Sequence, residues 1–220
     1  YIAFAIIYIY FALTEFYLNS NLQLNSWFND LKDTLLIFSI FVSLFLLRDL
    51  FSSKNLPGIL VKKYFRFIFY ITSSFVFIYL IANFKGFYEP SIILGCFILI
   101  WVNDSFAYVV GKSFGKQKLF YSISPHKTVE GFLGGLLFCC ISASIVSRYI
   151  DETLTTPNWL IIAIIVSVFG TLGDLIESKL KRESNVKDSG KIMPGHGGIL
   201  DRLDSIIFAS PYIYLFLKLI

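Results

Sequence analysis

The feature that most constrains this chain is the length of its unbroken apolar runs. Residues 5–13 read AIIYIYFAL and residues 35–47 read LLIFSIFVSLFLL. Their apolar residues are continuous rather than alternating, so they fit helices and not the strands of a barrel. Only 15% of the residues are charged and 56% are hydrophobic, with a mean hydropathy of +0.70. A soluble domain carries about 25% charged residues, so that class is excluded. The expected fold is all-α, a polytopic bundle of membrane helices. Cys96, Cys139 and Cys140 lie inside apolar runs without metal-ligand spacing and read as small core hydrophobes.

Seven spans are expected, at Tyr1–Phe16, Thr34–Leu47, Phe65–Ala82, Ser91–Val110, Gly131–Ile150, Asn158–Leu172 and Ser205–Leu219. Some are shorter than the ~20 residues of a bilayer crossing, and the second is the weakest. Residues 48–66 hold five Lys/Arg, 111–128 four and 173–204 six, fifteen of the nineteen in the chain. The segments between them and the C-terminal end hold one each: Lys32, Lys85, Arg148 and Lys218. By the positive-inside rule the three basic segments face the cytoplasm. The chain opens at Tyr1 inside an apolar run rather than at Met, so a preceding N-terminal piece is expected, and no signal peptide is recognised.

Orientation alone does not ask for acids and glycines among the bases, yet residues 178–204 mix all three. Asp174, Glu177, Ser178, Lys181 and Arg182 recur at helical spacing and share one face, while Leu175, Ile176 and Leu180 cover the other. Plain i,i+4 pairs would return a few tenths of a kcal/mol. An acid near hydrocarbon costs about 2.5–3.5 kcal/mol, so a bound cation is the expected compensation. Gly195, Gly197 and Gly198 surround His196 just before a helix opening with Asp201, Arg202 and Asp204. Glycines let backbone N–H groups approach an anion, and the helix N-terminus adds its positive end. Asp201 and Asp204 share a face and could chelate together; oxygen ligands without Cys point to Mg²⁺ or another hard ion.

Asn103 and Asp104 interrupt the fourth span, where a polar pair either faces the protein interior or fixes packing by an interhelical hydrogen bond. The next segment supplies Lys112, Lys116 and Lys118, which suit anionic lipid equally well. It also supplies Ser124, Lys127 and Thr128 ahead of Glu130 and a glycine-rich helix start, where a phosphate or nucleotide role is expected.

These residues resemble the phosphatidate cytidylyltransferases, or CDP-diacylglycerol synthases. That family's pattern is matched by Ser178, Lys181, Arg182, Lys187, Asp188, His196, Gly197, Gly198, Asp201, Arg202 and Asp204, with Met193 the single conservative departure. NDSFAYVVGKSFGK and SPHKTVEGFLGG resemble its other shared blocks, so the likeness covers Trp101 to Ser205. The resemblance implies transfer of CMP from CTP to phosphatidate in phospholipid biosynthesis, at the cytoplasmic face of a bacterial inner membrane. It implies N-terminal membrane helices over 1–90 and a catalytic membrane region over 91–220. Asp174 and Asp201 would hold Mg²⁺, with room for a second metal or a monovalent cation. Lys187, Asp188, Arg202 and Asp204 would serve catalysis. Ser178, Lys181, Arg182, His196, Gly197 and Gly198 would hold substrate phosphates, Ser124, Lys127 and Thr128 would close the site, and Asp104 would be a buried anchor or a cytidine contact. CTP, phosphatidate, the bilayer and a second copy of the chain are the expected partners, with no nucleic acid. The alternatives are a CTP-dependent enzyme acting on a polyprenol or ether lipid, and an ion-coupled transporter.

Overall fold

In this computed structural model, residues 25–51, 67–121, 123–190 and 197–220 are described. The first expected span lies outside them. The described chain runs α1 (Asn25–Phe51), a π-helical turn (Phe67–Thr72) leading into α2 (Ser73–Ala82), α3 (Pro90–Phe114), β1 (Lys118–Phe120), β2 (Ser124–Thr128), α4 (Val129–Tyr149), α5 (Thr156–Glu183) and α6 (Leu200–Leu219). The protein is thus mostly helical, with one short hairpin among the described residues that the hydropathy pattern does not announce.

Among the described residues, four helices are long and apolar enough to cross a membrane: Asp30–Phe51 within α1, and the whole of α3, α4 and α5. This makes the chain an integral membrane protein. The expected second span, short by hydropathy alone, gains length because its polar flanks continue the helix. Residues 68–82 form a shorter apolar helix. α6 is 20 residues long but carries Asp201, Arg202 and Asp204 at one end and Lys218 at the other.

Two compact units divide the chain: Tyr1–Glu89 with Ser210–Ile220, and Pro90–Ala209. In the first, serines make interhelical hydrogen bonds. Ser39 donates its hydroxyl to Ser73 at 2.8 Å, and the Ser43 and Tyr212 hydroxyls lie 2.5 Å apart. In the second unit, small residues bring α3 and α4 together. A Cβ on Gly131 would lie 2.6 Å from the Ala107 carbonyl oxygen, and one on Gly135 2.8 Å from that of Asn103. Without side chains there, the two backbones approach closely, the usual solution where lipid supplies no hydrophobic drive for helix association. Phe106 stacks on Phe138 with ring centroids 3.8 Å apart. Cys96 and Cys139 are buried and all three cysteines are free, as the sequence implies.

At the α4–α5 turn, Asp151 is buried and accepts hydrogen bonds from the Ser91 hydroxyl (2.8 Å), Leu154 N–H (3.1 Å) and Trp159 Nε1 (3.0 Å). Burial pushes its carboxyl up, but the Thr153 hydroxyl, together with those donors, holds it below the usual range. At its other end α5 stops in a Schellman motif. Asn185 is left-handed (φ 54), Val186 N–H reaches Lys181 O and Asn185 N–H reaches Arg182 O.

Candidate active site

The hairpin and the α5 and α6 ends bring charges together within the Pro90–Ala209 unit. Thr128 caps α4: its hydroxyl oxygen accepts from Gly131 N–H at 3.1 Å. Glu130, in the first turn, accepts from the backbone N–H groups of Lys116 and Gln117 and so ties the hairpin to that turn. With its base fixed this way, β2 delivers Lys127 to α5, where its Nζ lies 2.5 Å from Asp174 Oδ2. Asp174 Oδ1 accepts the Ser178 hydroxyl at 3.2 Å.

One turn further along α5, Lys181 is clamped between two acids. Its Nζ lies 2.7 Å from Glu177 Oε2 and 2.6 Å from Asp201 Oδ1. Both i,i+4 pairs of the stripe therefore exist, but each also reaches outside its own helix. Glu177, 2% exposed, is the deepest acid of the group.

Asp201 is more fully partnered than a vacant metal ligand would be. Beyond Lys181, its Oδ2 accepts from Ser189 N–H (2.8 Å), the Ser189 hydroxyl (2.7 Å) and Gly198 N–H (2.7 Å). The Gly198 contact reaches back three residues and satisfies a backbone N–H just ahead of α6. Lys181 and these donors hold the Asp201 carboxyl well below the usual range, against the opposing effect of burial. Gly197 has φ +84, and a Cβ there would lie 2.7 Å from Asp201 Oδ2; one on Gly198 would lie 2.4 Å from Ser189 Oγ. Both glycines are thus required where residues 189–190 and 197–198 meet Asp201. Gly198, expected in a phosphate cradle, gives its N–H to the protein's own carboxylate here.

Asp204 differs from Asp201 three residues away. Its Oδ1 accepts from Ser205 N–H at 2.7 Å. Burial, then the charges of Asp174 and Glu177, push its carboxyl up to about 7, and Asp104 adds to the effect. Five acids thus share one neighbourhood with Lys127 and Lys181. An excess of hard oxygen donors of this kind suits a divalent cation. Among the described residues, however, no three His, Cys, Asp or Glu groups converge as a preformed cage. Two lysines occupy carboxylates that a metal would use.

The remaining expected residues divide. Asp104 is exposed rather than buried, and its neighbour Asn103 is the anchor: 3% exposed, it accepts the Ser167 hydroxyl at 2.6 Å and so joins α3 to α5. Thr128 is buried with its hydroxyl in the cap, so it shapes the site rather than opening onto it. Ser124 is half-buried on β2, and Arg182, Lys187, Asp188 and Arg202 are exposed. His196 lies outside the described residues. Ser189 was not expected; it follows the Lys187–Asp188 pair directly, but nothing in the spacing signals its contact with Asp201.

Comparison with known proteins adds an independent finding. A model described as the cytidylyltransferase family matches residues 1–220. The chain is 47% identical over 150 residues to the phosphatidate cytidylyltransferase of Bacillus subtilis (strain 168), covering 68% of this chain and 55% of that protein. It is 41% identical over 195 residues to that of Staphylococcus saprophyticus, covering 87% of this chain and 72% of that protein. The Staphylococcus aureus (strain COL) protein of the same name is 46% identical over 145 residues, 63% of this chain and 55% of its own. The chain thus spans about half the length of the first and third of these relatives.

Proposed function

From the premise that the chain belongs to the cytidylyltransferase family, we propose that it transfers CMP from CTP to phosphatidate, giving CDP-diacylglycerol and pyrophosphate. The proteins most informative for this reading carry the name phosphatidate cytidylyltransferase. The observation that carries it here is the meeting of Lys127, Asp174, Lys181 and Asp201, drawn from the hairpin, α5 and α6.

An oxygen of the phosphatidate monoester attacks the α-phosphorus of CTP, the bond from that phosphorus to the β-phosphate bridging oxygen breaks, and pyrophosphate leaves. The monoester already carries about −1.5 to −2 charge near neutral pH, so no strong base is required. The obstacle is repulsion between two polyanions and their alignment, which cations relieve. Lys181 is fixed by two acids and presents a positioned charge; Arg182, Lys187 and Arg202, exposed around it, clamp phosphates arriving from solvent. Mg²⁺, when bound, would polarise phosphoryl oxygens and neutralise their charge. Asp174 and Asp204 are the donors best suited to hold it, with Asp201 joining only on release of Lys181. Asp188 supports the metal side, and Ser124, His196 and Gly197 the nucleotide side.

This reading places the three basic segments on the cytoplasmic side of a seven-span arrangement, where CTP arrives from water while phosphatidate keeps its acyl chains in the bilayer. The test is a mixed-micelle assay with labelled CTP, phosphatidate and Mg²⁺. Lipid-linked CMP is expected, lost without Mg²⁺ and in Asp174→Asn. Product formed from a polyprenyl or ether-lipid phosphate in preference to phosphatidate would overturn the substrate assignment.

A further inference from the structure

The two lysines of the site are held differently. Lys181 is clamped by Glu177 and Asp201, with side-chain exposures of 17% for Lys181 and 3% for Glu177. Lys127 pairs with Asp174 in a contact that is open, at 26% and 37%, and its charge also acts on Asp104. We propose that Lys127 is the resident counter-ion of Asp174, exchanged for a divalent cation when the metal–nucleotide complex enters, its ammonium passing to the nucleotide phosphates. The exchange rests on the reading of Asp174 as a metal ligand.

Four observations support it. An ammonium at 2.5 Å and a metal ion cannot share Asp174 Oδ2, since like charges at that distance repel. The Ser178 hydroxyl on Oδ1 keeps the carboxylate oriented after the lysine leaves. The hairpin base is anchored by Glu130 and by Val129 N–H to Gln117 O at 2.9 Å, so only the flexible four-carbon stem of Lys127 has to move. Asp104, Glu177 and Asp204 share the field of Asp174, and a double charge offsets them better than a single one. A metal-bound triphosphate brings the oxygens that the displaced ammonium then meets.

The exchange predicts effects of opposite sign. Mn²⁺ is titrated by calorimetry into the intact solubilised protein without nucleotide, and CTP is then titrated at saturating Mn²⁺. Lys127→Met is expected to bind Mn²⁺ about two- to fivefold tighter, on the scale of a part-exposed ion pair. The same variant is expected to bind CTP about tenfold more weakly, on the scale of a lost charged hydrogen bond. Lys127→Arg, which keeps the charge, binds Mn²⁺ no tighter than wild type, and Lys118→Met, an exposed lysine of the same hairpin, leaves it unchanged. Unchanged or weaker Mn²⁺ binding by Lys127→Met, with Asp174→Asn still abolishing it, overturns the exchange while the metal assignment stands. Equal tightening in Lys118→Met also overturns it, as a through-space field alone. Mn²⁺ binding that survives Asp174→Asn removes the metal assignment and the exchange together.

Discussion

Asp201 and Asp204 sit three residues apart on one helix, yet their surroundings make them opposite kinds of acid. Asp201 has Lys181 and three loop donors around it, so its loss unmoors the loop as well as the charge. Asp201→Ala is expected to cost about 1–3 kcal/mol of stability and to speed tryptic cleavage after Lys187, read by limited proteolysis. Asp174→Asn should leave that cleavage rate unchanged. Asp204 is buried beside other acids, and its proton is held to about pH 7. A folded-state carboxyl raised above its ordinary 3.8 binds protons more tightly folded than unfolded. Its contribution is therefore greatest at low pH and is lost as pH rises from about 4 through about 7. Metal-free Asp204→Asn should accordingly gain more thermal stability, relative to wild type, at pH 8 than at pH 5, as differential scanning fluorimetry would show. The sequence makes both aspartates visible by spacing, but only their neighbours separate them. Asn103 and Asp104 divide in the same way: the first joins α3 to α5, and the second stays exposed.

Among the elements, the α3–α4 pair and the hairpin decide where Lys127 lies. Their packing rests on absent side chains: a Cβ at Gly95 would lie 2.8 Å from Val146 Cγ1 of α4, and one at Gly111 2.9 Å from Thr128 Oγ1 of β2. Gly95→Leu is expected to destabilise the protein by about 1–3 kcal/mol through overpacking, measured as a lowered Tm in detergent. Thr128→Val keeps the shape but loses the cap, at about 1 kcal/mol. Because that cap sits next to Lys127, the variant should also weaken CTP binding in a calorimetric titration. Helix existence was readable from hydropathy, and α4 begins two residues before the expected span because Thr128 can cap it. The hairpin was not readable: β1 and β2 have three and five residues, too short for a periodic signal, and their pairing depends on Glu130 tying Lys116 and Gln117 to α4.

Across the whole molecule, the chain segregates an apolar body from polar segments rich in lysine and arginine. If residues 111–128 and 173–204 share the cytoplasmic side, cysteines introduced at Lys116 and Ser184, both exposed, should react with a membrane-impermeant maleimide in inverted vesicles and not in right-side-out ones. Labelling of the two positions from opposite sides would break the proposed topology. Buried Cys96 and Cys139 should add little background. The sequence by itself determined the membrane class, the helical content and the family, because hydropathy and motif spacing are one-dimensional properties that survive without coordinates. Only the tertiary structure decided that Asp201 organises a loop, that Thr128 caps a helix and that Lys127 rests on Asp174. Hydrogen-bond partnership and burial depend on which distant segments meet, and no spacing along the chain encodes that meeting.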